Sequence, residues 1–190
     1  MVKAQSFNFG LSAGLIGSQV NGDQFRGYNK LGLFGGIFVN KAIENNDIQM
    51  EFNFIQKGSR KNQNPDAGDF TTYIMRLNYI EIPVFYRYYL HKYLSIQGGL
   101  KIAYLISAKE FDSYGLITSN PGIPDFRNLD YSLFAGLDTR INDELKVLFR
   151  FSYSMRAIRP NPSNVVWYLN RGQYNEVLTL ALQYQFNGKK

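Results

Sequence analysis

The sequence predicts an all-β chain, an eight-stranded antiparallel up-and-down transmembrane β-barrel with long extracellular loops and short periplasmic turns. Three observations carry this. Apolar residues alternate with small or polar ones in eight successive runs, the two-residue period of strands whose side chains point to opposite faces. The connections alternate between short and long, the asymmetry of a membrane barrel whose two rims differ. Aromatic residues gather at the ends of the apolar stripes, where a membrane barrel meets the headgroups.

The first run sets Phe7, Phe9, Leu11, Ala13 and Leu15 against Asn8, Gly10, Ser12 and Gly14. The second sets Leu31, Leu33, Gly35, Ile37 and Val39 against Gly32, Phe34, Gly36 and Phe38, and the third Ile48, Met50, Phe52 and Phe54 against Gln49, Glu51 and Asn53. The fourth places Ile80, Ile82, Val84, Tyr86 and Tyr88 opposite Glu81, Pro83, Phe85 and Arg87. Upstream of it Met75 to Asn78 shift phase, which predicts a bulge, and Pro83 implies a bulge or a missing ladder bond. The fifth gives Leu94, Ile96, Leu100, Ile102 and Tyr104; the sixth Tyr131, Leu133, Ala135, Leu137 and Ile141. The seventh gives Leu145, Val147, Phe149, Phe151, Tyr153 and Met155; the eighth Leu178, Leu180, Leu182, Tyr184 and Phe186. Three short turns lie at about 41–46, 90–92 and 142–144, and four long loops at about 18–30, 58–72, 108–128 and 157–173; the loops carry Gly, Pro, Asn and Asp.

Periodicity alone does not say which face is inside. A soluble lipocalin-like barrel turns the apolar face inward and a membrane barrel turns it outward. The polar face here is rich in Gly, Ser, Asn and Gln with a few opposite charges, which suits a narrow, filled lumen. The apolar stripes span about 9–11 residues per strand, the length of a tilted strand crossing hydrocarbon. Phe7, Phe9, Tyr86, Tyr88, Tyr184 and Phe186 mark the short-turn rim, and Tyr104, Tyr131 and Tyr153 the long-loop rim. These choose the membrane.

At 190 residues the chain reads as one domain. A hydrophobic share of 45% against 19% charged residues excludes a disordered chain. With no Cys and one His, disulfides, thiolate metal sites and most His-based catalysis are excluded. The net charge of +6 is scattered, without the clustering that nucleic-acid binding needs. No 18-residue apolar run predicts a transmembrane helix. The expected organisation is a residual signal or cloning segment at 1–5, whose Ala4-Gln5-Ser6 junction reads like the end of a trimmed signal peptide, then the barrel at 6–187 and a tail at 188–190.

The phrase Leu77-Asn78-Tyr79-Ile80-Glu81-Ile82-Pro83-Val84 resembles the core motif of the PorT-like outer-membrane β-barrel family of Bacteroidota. The opening Phe9-Gly10-Leu11-Ser12-Ala13-Gly14 and the segment Met50 to Gly58 are similar to that family too, in the right order over nearly the whole chain. Tyr184-x-Phe186 resembles the aromatic signal read by barrel-insertion machinery, with Asn187 to Lys190 following where the family usually ends on Phe. The resemblance implies the outer membrane of a Gram-negative bacterium. It implies little about activity; some members serve type IX secretion and gliding.

Candidate sites are two. The inward charges Glu51, Lys57, Glu81, Arg87, Lys101, Asp138, Arg140, Lys146 and Arg150 read as a salt-bridged plug, since an unpaired charge in so narrow a lumen is costly. A three-residue turn at Leu90-His91-Lys92 would set Glu81 directly opposite Lys101; Asp138 would lie level with Leu148 and diagonal to Lys146 and Arg150. In the fourth loop, Val165, Val166, Trp167, Tyr168 and Leu169 form an apolar run suited to a partner or to covering the barrel mouth. No catalytic, cofactor or metal site is expected: His91 falls in a turn, and Glu110, Asp112 and Asp125 lack cation-loop spacing. The expected partners are outer-membrane lipid or lipopolysaccharide and a protein of the same membrane. The sequence thus reads as a non-enzymatic accessory or scaffold subunit of a secretion or envelope-assembly machine, with a narrow channel or a soluble ligand-binding barrel as the alternatives.

Overall fold

The computed structural model describes residues 7–43, 46–118, 124–160 and 172–186. Among these, eight long strands form: β1 (Phe7–Asn21), β2 (Lys30–Ile43), β3 (Asn46–Lys61), β4 (Tyr73–Tyr89), β5 (Leu94–Asp112), β6 (Leu129–Arg140), β7 (Leu145–Ser154) and β8 (Tyr174–Phe186). Each pairs antiparallel with its sequence neighbour and β8 pairs with β1, so the sheet closes into a ring. Gly115–Leu116 folds back on the end of β5. The paired residues Asn8, Asn40, Gln49, Phe85, Gly99, Phe134, Ser152 and Val177 lead once round the ring and back to β1 at Ser18, ten residues from the start. With about 3.3 Å per residue and about 4.8 Å between strands, that stagger tilts the strands by roughly 40°.

The apolar face is outside. Leu15, Leu33, Phe52, Val84, Leu100, Leu133, Phe149 and Leu180, one from each strand, are all 47–57% exposed. Burying one such side chain is worth about 1.5–3 kcal/mol. A full girdle in water would forfeit more than the whole stability of about 5–15 kcal/mol that a domain commands; hydrocarbon removes the penalty. At the short-turn rim Phe9 and Tyr184 both pack on Phe186, with ring centroids 5.4 Å apart in each pair.

Three local expectations are corrected. The last β4–β5 pair is Tyr89↔Ser95, with Leu90 to Leu94 between them, so the register is two residues off that of a three-residue turn: Lys101 stands opposite Pro83 and Glu81 opposite Ala103. Inward alternation in β4 runs unbroken from Met75 to Arg87, and the bulge lies in β5, where Ile106 is extra between the pairs Asn78↔Ser107 and Tyr79↔Leu105. The apparent phase shift arises because Met75, Leu77 and Tyr79 point inward although apolar. The connection between β2 and β3 is shorter than six residues, Ile43 pairing with Asn46. At Pro83 the second of the two expected outcomes holds, a gap in the ladder without a bulge: β3–β4 pairing skips from Met50↔Val84 to Asn53↔Glu81 and keeps its register.

Candidate functional site

The lumen is filled by side chains in stacked layers, and inward alternation delivers each of them. Nearest the periplasm Arg87 of β4 is fully buried. Its Nε donates to Asp138 of β6 at 2.5 Å, and its Nη1 to both carboxylate oxygens of Asp47 of β3 at 3.1 and 3.2 Å. Gln49 accepts from Nη1 at 2.8 Å and Gln183 from Nη2 at 3.2 Å. Tyr89 donates its hydroxyl hydrogen to Asp47 at 2.6 Å, and Lys146 donates to the Tyr89 oxygen at 3.4 Å.

In the middle layer Arg150 of β7 reaches across the lumen and forks onto Glu51 of β3, both N···O distances being 2.7 Å. Such a two-point contact fixes orientation as well as charge. Glu51 also accepts from Gln49, Asn53 and Gln183 at 2.6, 2.8 and 2.9 Å. The guanidinium lies 4.7 Å from the ring centre of Phe85 and 5.2 Å from that of Phe134. Gly136 makes room for it: a Cβ there would sit 2.9 Å from Arg150 Cγ and 2.5 Å from the Phe149 carbonyl oxygen.

Above this, Lys57 lies 3.1 Å from Asp130 and 3.5 Å from Glu81, and Lys101 lies 3.2 Å from Glu81. The pair Glu81–Lys101 is thus diagonal across the β4–β5 ladder. Asn175 and Ser132 donate to Asp130 at 3.0 and 3.1 Å. The extracellular third turns apolar, with Val20, Met75, Leu77, Ile158 and Val177 buried. Ile158 belongs to the fourth long connection, and Ala157, Ile158 and Arg159 are buried at the mouth. Arg159 is bound there to both oxygens of Glu110, at 2.9 and 2.5 Å.

Sequence reasoning placed Glu51, Glu81, Arg87, Lys101, Asp138 and Arg150 on the inner wall, and the structure joins them in these layers. Its list of inward charges leaves out Asp47 and Asp130, although each stands two residues before an inward-facing polar side chain and the alternation itself held the signal. Asp138 pairs with Arg87 across the lumen, while Lys146 and Arg150 bind elsewhere. Arg140 is only half-buried, at the short-turn rim with its guanidinium 5.8 Å from the Tyr89 ring centre. Val165, Val166, Trp167, Tyr168 and Leu169 lie outside the described residues, as do 1–5 and 188–190.

The model of the outer membrane protein beta-barrel domain family matches residues 3–158. Among solved structures, Ail of Yersinia pestis, in complex with the heparin analogue sucrose octasulfate, is similar with a TM-score of 0.54 at 13% identity, over 95% of this chain and 99% of that one. Neisserial surface protein A is similar with a TM-score of 0.57 at 10% identity, over 96% and 100%. At such identities the likeness is one of fold. No curated protein matches the sequence.

Proposed function

The chain belongs to the outer membrane protein beta-barrel domain family and lies in a Gram-negative outer membrane; from that membership we propose a plugged, non-conducting barrel that acts as an accessory or scaffold subunit of a larger outer-membrane machine. One observation carries the reading. Among the described residues the stacked lumen layers hold five buried cations, Lys57, Arg87, Lys101, Lys146 and Arg150, against five buried carboxylates, Asp47, Glu51, Glu81, Asp130 and Asp138; the further buried cations are Lys30 at the start of β2 and Arg159, held by Glu110 at the mouth. An ion path is lined by one sign of charge and stays wet. Here opposite charges meet directly, and eight strands leave space for little beyond side chains. We read the protein as non-enzymatic; its single histidine, His91, is exposed in the turn after β4.

The Tyr79–Pro83 motif supports the PorT-like subgroup of Bacteroidota and, with it, a role beside type IX secretion. The docking element we assign is the apolar run Val165, Val166, Trp167, Tyr168 and Leu169, on a long connection of the kind this architecture offers for recognition. The lipid partner is the surrounding lipopolysaccharide. Two measurements test the reading. Single-channel recording in planar bilayers is expected to show no steady conductance; a stable open pore overturns the plug. Affinity purification from native membranes is expected to retain an outer-membrane component that Trp167→Ala releases while the barrel stays folded; equal retention by the variant overturns the docking role.

A further inference from the structure

On the outer wall, above the apolar girdle, the sheet carries a cleft that the lumen does not explain. The β2–β3 ladder stops at Phe34↔Ile55, although β2 continues to Lys30 against β1 and β3 continues to Lys61 against β4. Where the two strands part, the Gln56 side-chain oxygen accepts the Leu33 N–H at 3.4 Å in place of a ladder partner. The cleft encloses about 440 Å³ and is lined by Lys30, Gln56, Arg60, Arg76, Asn78 and Lys109, among others. Gly58 shapes the β3 side: its φ is +140°, and a Cβ there would lie 2.0 Å from the Met75 carbonyl oxygen.

Four cations converge on this cleft. Arg76 and Lys109 stand directly opposite each other on β4 and β5, an arrangement that costs stability unless an anion relieves it. Arg60 and Arg76 also repel Lys30, which donates to the Leu31 carbonyl at 2.6 Å. Among the described residues no carboxylate is within ion-pair distance of any of the four, whereas Lys57, Arg87, Lys101 and Arg150 in the lumen all have one. Arg60, Arg76 and Lys109 are exposed, whereas Lys30 is buried. Arg76 is braced by Phe111, 5.1 Å from its ring centre.

The height of the cleft selects the anion. Below it, the outward residues of β4 are apolar from Ile80 to Tyr88, a stretch that matches the roughly 9–11 residues needed to cross hydrocarbon. Arg76 is four residues above Ile80, about 13 Å along the tilted strand and roughly 10 Å in height, which is headgroup level on the long-loop side. The anions concentrated at that level are phosphates on sugar headgroups. Guanidinium groups bind phosphate oxygens in pairs, and the amides of Gln56 and Asn78 beside them suit sugar hydroxyls.

We propose that this cleft binds the phosphorylated headgroup of an outer-leaflet glycolipid, with Arg60, Arg76, Lys109 and Lys30 on the phosphates. The inference deepens the lipopolysaccharide contact proposed above and is independent of the plug and the scaffold role, which bilayer recording and affinity purification test separately. The test is calorimetric titration of the full chain, folded in zwitterionic micelles, with bisphosphorylated lipid A, with its dephosphorylated form and with inorganic phosphate. The bisphosphorylated lipid is expected to bind at least tenfold more tightly than the dephosphorylated one. The triple variant Arg60→Gln, Arg76→Gln, Lys109→Gln is expected to lose at least tenfold in affinity. Lys92→Gln, on the opposite rim, is expected to change it less than twofold. Should the triple variant not fold, Arg76→Gln alone is expected to lose about threefold. Unchanged binding by the cleft variants, equal binding of the dephosphorylated lipid, or an equal loss in Lys92→Gln overturns the proposal. Displacement of the lipid by millimolar inorganic phosphate also overturns it, by making the cleft a free-phosphate site.

Discussion

Replacing Arg87 by methionine tests whether the lumen is a dry plug. The side chain is fully buried, and the substitution keeps most of its apolar bulk while removing the charge. Asp138 and Asp47 then lose a cation at 2.5 and 3.1 Å, and Gln49 and Gln183 each lose a donor. Tyr89 still donates to Asp47, and Gln97 to Asp138, but neutral donors do not cancel two buried negative charges. Breaking a buried pair by removing one partner costs about 3–5 kcal/mol, and this guanidinium serves two carboxylates, so the upper half of that range is expected. At a denaturant slope of roughly 2 kcal/mol/M the urea midpoint falls by about 2 M. The assay is urea unfolding in lipid vesicles, followed by circular dichroism and by the gel mobility of unboiled samples. The triple variant Arg87→Met, Asp47→Asn, Asp138→Asn should recover most of the loss, because removing a whole charged group is often nearly neutral. A loss below about 1 kcal/mol for Arg87→Met, or a triple variant as unstable as the single one, would refute the plug: the carboxylates would then be hydrated, and the lumen wet.

Lys101→Met should cost clearly less than Arg87→Met, because Lys57 remains 3.5 Å from Glu81; equal costs by the same urea titration would contradict the shared-carboxylate geometry. Phe149→Arg puts a cation on the lipid face, where the scale is about 2–4 kcal/mol at mid-bilayer, while Phe149→Leu should stay within about 1.5 kcal/mol; similar urea midpoints for the two would place Phe149 out of hydrocarbon. Gly136→Val should destabilise by about 1–3 kcal/mol or more through overpacking, since a Cβ there meets the Phe149 carbonyl oxygen at 2.5 Å. A wild-type midpoint for that variant would mean that the middle layer has slack.

The sequence by itself determined the strand count, the two faces and the difference between the rims. Period-two alternation is a local property: once Phe52 faces out, Glu51 and Asn53 must face in, whatever the strand packs against. The membrane placement followed from the same stripes, because their length and aromatic ends match a hydrocarbon slab. The tertiary structure decided the partners. Glu51 and Arg150 are 99 residues apart in sequence and meet only because the ring closes with a ten-residue stagger, which sets which layers face each other across the lumen. A two-residue shift at the β4–β5 turn, which sets Tyr89 opposite Ser95 instead of Tyr93, moved Lys101 from opposite Glu81 to opposite Pro83, and Lys57 came to share that carboxylate. Met75 and Leu77 read as a broken pattern because an apolar inward face looks like a phase error until Ile158 is seen covering it. The outer cleft was equally hidden: Lys30, Arg60, Arg76 and Lys109 are dispersed along the chain, and only the parting of β2 from β3 and the Ile106 bulge, which turns Lys109 outward opposite Arg76, gather their charge at one height on the wall.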